Sequence, residues 1–313
     1  MILDLCIGLK EPENCSKRTG LVEIKRERMV KQKPGKQKRK FQVSNGHYLD
    51  FDQLARLIHA IHSAEGQQKI SMAYLEKETG LPVRQVENRI SIGCAIGVIE
   101  EKVLRLSPFG LLVFLYDTFF EARGTLEYLH YMGAGNYKNL IWYEVFNSLL
   151  PSEPPMDHGR WLGYFRSQLK QMYTDNSLGE HLAKEVRFII DAYTKKNFNR
   201  LGILHQTSDG KLYRQRSTNL HLTTISAMLY DYAEKQRVNL LQMREVITMP
   251  GLPGVLFNMD EATLRQLVED LHQHGWVRFE GTHNLDQIRL KDDFRALDFL
   301  TAYYKGADPQ PSG

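Results

Sequence analysis

Residues 71–106 read SMAYLEKETG LPVRQVENRI SIGCAIGVIE EKVLRL, and the order of elements in this stretch decides the fold. A short helix around Ser71–Thr79 runs into the turn Gly80-Leu81-Pro82, and a second helix follows from Val83 to about Gly93. Gly97 punctuates. Val98 to Leu106 then divides into two short strands turning near Glu101-Lys102, and helix, turn, helix, hairpin is the order of a winged helix. Working upstream, Phe51, Leu54, Leu57, Ile58 and Ile61 recur at spacings of three and four, which makes one apolar stripe and predicts the module's first helix. Downstream, Ser107-Pro108 reads as a helix start, with serine as the cap and proline in the first turn.

Residues 108–150 are dense in large apolar side chains, among them Phe109, Leu115, Tyr116, Phe119, Phe120, Trp142 and Phe146, which are expected to form core. Pro151 to Pro155 reads as a boundary between halves, because proline lacks the amide donor and bars the residue before it from helix. Beyond it, helices are expected near 157–174, 178–198, 221–236 and 239–247, with a hairpin tip at Ser208-Asp209-Gly210. Asp260 caps a helix to about His274. The segments 276–279 and 287–290 flank a second wing, so the helix-then-wing order occurs twice. The fold class expected is mainly α, with two winged-helix modules. The domains expected are a basic N-terminal arm over 1–44, a winged helix with a helical extension over 45–150, a helical domain with the second winged helix over 151–305, and a disordered tail over 306–313.

The 313 residues are 42% apolar and 25% charged, the balance of an ordinary globular protein. Charge is unevenly placed. Residues 17–40 hold eleven Lys/Arg against Glu23 and Glu27, a balance of +9 in a chain whose total is +4, so the rest carries −5. A polyanion is therefore expected to meet the arm first. Asp4 interrupts the apolar opening and no basic stretch precedes it, so Met1–Lys10 does not read as a secretion signal, and no run is long enough to span a membrane. Cys6, Cys15 and Cys94, distant and odd in number, fit unpaired thiols in a reducing cytoplasm.

Within the helix 83–93, Val83, Val86 and Ile90 are expected to face inward. Arg84, Gln85, Asn88, Arg89 and Ser91 then face outward, and arginine, glutamine and asparagine are the side chains that read base edges in a major groove. Arg84, Gln85, Asn88 and Arg89 are the candidate base-reading residues. Lys36, Lys38, Arg39 and Lys40 of the arm are the candidate phosphate contacts, giving affinity without sequence preference. The second presumed recognition helix, 260–274, carries Asp260, Glu261, Glu269 and Asp270 against Arg265, so phosphates are repelled and a protein-contact role is expected there.

His59 and His62 stand one turn apart and His272, His274 and His283 lie near the second wing, but neither group has the spacing of a zinc site. No metal and no cofactor are expected. There is no glycine loop for phosphates, no serine elbow and no paired carboxylates of a nuclease, so no catalytic residue is assigned and no enzyme is expected.

Three segments carry a resemblance: Leu106-Ser107-Pro108-Phe109-Gly110, Gly124-Thr125-Leu126-Glu127-Tyr128-Leu129-His130-Tyr131 and Trp142-Tyr143-Glu144-Val145-Phe146-Asn147. Together they resemble the prokaryotic domain-of-unknown-function family four thousand and seven. That family pairs a threonine-proline-x-glycine helix start with a leucine-histidine-tyrosine segment and a tryptophan/aromatic/asparagine segment. Ser107 stands where the family has threonine, and Gly46-His47-Tyr48 where it has glycine-histidine-glutamate. The resemblance implies a gene neighbourhood of DNA phosphorothioation and phage defence, and no catalytic residues. The function expected is a non-enzymatic, cytoplasmic DNA-binding accessory or regulatory subunit of such a complex; the alternative is a protein–protein adaptor without DNA reading. The partners expected are double-stranded DNA and other subunits of the system, with room for a homo-oligomer and no role for a membrane.

Overall fold

The computed structural model describes residues 39–66, 69–282 and 285–312. α1 (Phe51–Ser63) begins where Asp50 accepts the Gln53 amide at 3.0 Å, and its apolar stripe Phe51, Leu54, Leu57, Ile58 and Ile61 is buried as the spacing requires. α2 (Met72–Thr79) is capped by Ser71 and stopped by Gly80, whose φ of 67° is the left-handed conformation that glycine adopts without strain. α3 (Val83–Ala95) follows two residues later. The hairpin expected over 98–106 closes through one antiparallel pair, Ile99 with Leu106. Ser107 then caps α4 (Pro108–Tyr116), accepting the Gly110 amide at 2.8 Å. Gly110 is fixed by packing: a Cβ there would stand 1.9 Å from the Val98 carbonyl oxygen, so α4 lies on the first strand with no room for a side chain.

α5 (Arg123–Ala134) and α6 (Leu140–Glu144) come next, and a π-helical turn (Val145–Leu149) leads into α7 (Leu150–Ser152). α8 (His158–Leu169) and α9 (Asp175–Ser177) precede another π turn and α10 (Ala183–Thr194). The expected hairpin is present as β1 (Leu204–Gln206) and β2 (Leu212–Arg214), paired antiparallel with His205 opposite Tyr213. The last part runs α11 (Leu222–Gln236), β3 (Leu240–Gln242), α12 (Met243–Thr248), α13 (Pro253–Leu256), α14 (Glu261–Gln273), β4 (Val277–Thr282), β5 (Leu285–Leu290) and α15 (Ala296–Lys305). β5 is the central strand of a three-stranded antiparallel sheet ordered β3-β5-β4, with Leu241 and Phe279 both opposite Ile288. The helix expected over 239–247 thus opens as a strand, because Leu240 to Gln242 pair with β5 before α12 starts.

The molecule is mainly helical, with small sheets. The boundary expected at Pro151–Pro155 is corrected: one hydrophobic core runs from Phe41 to Leu300, and residues from Arg39 onward belong to one unit. Met156, just past the prolines, exchanges backbone hydrogen bonds of 3.3 and 3.0 Å with Leu212. Across the same boundary, buried His130 bonds the Tyr193 hydroxyl and, at 3.1 Å, the Leu256 carbonyl, while the Trp142 indole donates to Tyr193 at 3.0 Å. The prolines therefore turn the chain within one core. The arm's expected boundary at 44 is also corrected, since Phe41 and Val43 are buried. At the other end, residues 307–312 hold no regular element, yet Pro309 is buried and Ser312 donates to Asp298 at 3.1 Å. Among the described residues no helix is long and apolar enough to cross a membrane.

Candidate nucleic-acid interface

α3 is the element on which the site depends, and its surroundings differ from the expected ones. Residues 39–48 lie along it as a strap. The Lys40 amide and carbonyl bond Lys138 and Leu140 at 2.6 and 3.1 Å, anchoring the strap beside α6. From there Val43 O accepts the Ser91 hydroxyl at 2.8 Å, Ser44 O accepts the Asn88 amide, and Tyr48 O accepts Arg89 Nη1 at 2.7 Å. Arg89 also donates from Nε and Nη2 to Gln53 Oε1 at 2.9 and 2.8 Å. The strap's own amides are taken by Glu185 of α10: Val43 N, Ser44 N and Ser44 Oγ donate to its carboxylate at 3.1, 3.2 and 2.8 Å. Burial pushes the Glu185 carboxyl above its ordinary range, and the Ser44 and Val43 donors oppose the shift.

Asn88 and Arg89 are consequently 1% and 4% exposed, and the expectation that they face solvent is corrected. The inward flank of α3 is Val86, Asn88, Arg89, Ile92 and Gly93, part apolar and part polar, because the strap presents carbonyl oxygens that polar donors must meet. Val83, expected inside, is exposed. Arg84 is exposed and Gln85 half-buried, and neither makes a side-chain hydrogen bond among the described residues. The open part of α3 is therefore its first turn.

Of the expected phosphate contacts, Lys36 and Lys38 lie outside the described residues. Arg39 is docked: its guanidinium lies 4.0 Å from the Tyr137 ring centroid and pairs with Glu144 at 2.6 Å. Lys40 is exposed but donates to Ser91 Oγ at 2.7 Å. The strap residues pack on the body, and no periodicity in the sequence announces this. Beside them a cavity of about 330 Å³ is lined by Lys40, Ser91, Cys94, Glu101, Lys138 and Asn139. Its charges are balanced, with Lys138 paired to Glu101 at 2.7 Å, and burial pushes the Cys94 thiol up, which keeps it protonated. Cys94 is a free thiol; Cys6 and Cys15 lie outside the described residues.

In α14, Arg265 is engaged by Asp286 of β5 at 2.6 and 3.1 Å and by Glu261 at 3.3 Å. That leaves an acidic helix, as its composition suggests. His59 and His62 pack against the Phe114 ring, and among the described residues no three metal-ligating side chains come together. Sequence reasoning missed the outer face of α4. Leu115, Tyr116 and Phe119, expected in the core, are 58%, 47% and 59% exposed, while Phe109, Phe120, Trp142 and Phe146 are buried as expected.

A comparison with curated proteins finds no match. Among solved structures, the chain is similar to a magnesium-ion-bound SspB crystal structure at 14% identity, covering 87% of this chain and 90% of that one, with a TM-score of 0.67. An SspB crystal structure without that description matches at 15% identity over the same shares, with a TM-score of 0.69. At these identities the likeness is one of fold. Residues 94–304 match the family described as "Protein of unknown function (DUF4007)", which takes in all three motif segments, and the chain belongs to that family.

Proposed function

We propose that this protein is a non-enzymatic DNA-binding accessory or regulatory subunit of a bacterial phage-defence or DNA-modification complex. The observation that carries the proposal is the open first turn of α3: Arg84 and Gln85 make no side-chain hydrogen bond among the described residues and stand at the N-terminal end of the second helix of a helix-turn-helix, the end that reaches base edges in such motifs. The Ile99–Leu106 pair following α3 supports reading α1 to Leu106 as a winged helix, and β3-β5-β4 with α11 to α14 as a second. Lys77 and Lys102 of the first module are without ion pairs among the described residues and suit phosphates. Asn88 and Arg89 leave the proposed interface and become its support.

A second reading, the protein–protein adaptor, is favoured by α4, which is apolar on every side yet leaves Leu111, Leu115 and Tyr116 in solvent. The two roles are compatible in one subunit. The test is duplex retention by wild type and by Arg84→Ala/Gln85→Ala in a mobility-shift assay. Binding is expected for the first and reduced binding for the second, and equal retention contradicts the α3 interface. Incubating supercoiled plasmid with the protein and magnesium tests the non-enzymatic part, which a nicked or linear product overturns.

A further inference from the structure

Arg214, the last residue of β2, holds a cation that no carboxylate pairs with among the described residues. Its Nη1 donates to Val255 O at 2.6 Å and Phe146 O at 3.3 Å, and Nη2 donates to Asn258 Oδ1 at 2.7 Å. All three acceptors are neutral, and Nε has no acceptor among the described residues. Burial alone pushes the group down to about 10. Beside it lies a cavity of about 200 Å³ whose walls include Glu153, Pro154, Tyr213, Arg214 and Asn258, with Trp161 among the residues beneath.

Besides Arg214, two side chains of the lining carry donors without acceptors among the described residues. Asn258 turns its oxygen to Arg214, which leaves its Nδ2 without a partner among the described residues, and it is held there in a left-handed backbone conformation with φ 52°. Trp161 is fully buried, and its Nε1 has no hydrogen-bond partner among the described residues. A buried donor without an acceptor and a desolvated guanidinium without an anion both lack the same thing, an acceptor-rich negative group. The volume sets its size. At about 30 Å³ per water the cavity has room for about six or seven waters, enough for one phosphate or carboxylate group and below the ~300 Å³ at which pockets for whole small molecules begin.

We propose that the cavity between β2, the Pro151–Pro155 turn and Asn258 is a binding site for a small oxyanion, held by Arg214 and Asn258 with Trp161 behind them. Phosphate and carboxylate share the required chemistry. The test is calorimetric titration of the full chain with inorganic phosphate and, separately, with acetate, at constant ionic strength in chloride. Saturable binding of either is expected, and which of the two binds identifies the source. Trp161→Phe, which removes the donor while keeping a ring in place, is expected to weaken binding several-fold. Glu153→Gln, which removes the acidic group on the wall, is expected to strengthen it several-fold. Arg214→Gln should abolish it, but because Arg214 also ties two backbone carbonyls, the other two variants decide the matter if that one does not fold. No saturable binding of either anion to wild type, or equal affinity in wild type, Trp161→Phe and Glu153→Gln, overturns the site.

Discussion

Asn88 makes a residue-scale case for how polar side chains hold this protein together. Its amide meets the Ser44 carbonyl, which the His47 amide also reaches at 2.9 Å, and its Oδ1 accepts Arg89 Nη1 at 2.9 Å, so truncating it removes two buried hydrogen bonds at a cost of about 1–3 kcal/mol. Asn88→Ala is therefore expected to lower the unfolding free energy by that amount, read as a lower urea midpoint at an unchanged m-value; an unchanged midpoint contradicts the strap's docking. His130 sets a pH dependence. Burial holds it down at about 3, against an ordinary value of 6.5, so the folded state binds fewer protons than the unfolded state between these values. Its contribution is fully present above pH 6.5 and is lost as pH falls, by up to about 1.4 kcal/mol per pH unit toward 3. Urea melts of wild type between pH 7 and pH 4.5 should show that loss, and His130→Gln should flatten it; parallel curves for the two contradict the assignment. At this scale the sequence was misleading for a physical reason. Inward positions on α3 were assigned from apolar residues, whereas Asn88 and Arg89 turn inward to satisfy carbonyls of a segment some 40 residues away, and hydrogen-bond demand of that kind leaves no periodic trace.

Elements were more legible. The caps at Ser107 and Asp260, the hairpin around 208–210 and most of the helical order follow from spacing, glycine and cap chemistry, and the structure places them where those signals stand, with the strand Leu240–Gln242 the departure. α4 is the exception, because composition distinguishes apolar from polar but cannot say which apolar side of a helix finds a partner. Leu115 on α4 and Phe119 in the turn after it are exposed, so Leu115→Glu with Phe119→Glu is expected to change stability by about 0.5 kcal/mol or less. The same double variant should lose recovery of a partner protein from the native host in pull-downs that wild type supports. A large drop in melting temperature contradicts the exposure of this face, and unchanged recovery removes the support for the adaptor reading.

For the whole molecule, the division at Pro151–Pro155 failed because prolines mark a turn in the chain without saying whether a core ends there. His130, Trp142 and Tyr193 join the two expected halves in one buried network. Trp142 is 1% exposed, so Trp142→Ala should cost about 3–5 kcal/mol and shift a single unfolding transition; two separate transitions in wild type contradict one core. The motif segments that identify the family are thus largely architectural, and function rests on the surfaces that the core presents. The central claim, that one of those surfaces contacts DNA, is tested most directly by fluorescence anisotropy of the full chain with a labelled duplex over a salt series. Binding is expected at low salt, with a logarithm of affinity that falls linearly with the logarithm of salt concentration, as phosphate contacts release counterions. Absence of binding at the lowest salt contradicts that claim and leaves the adaptor.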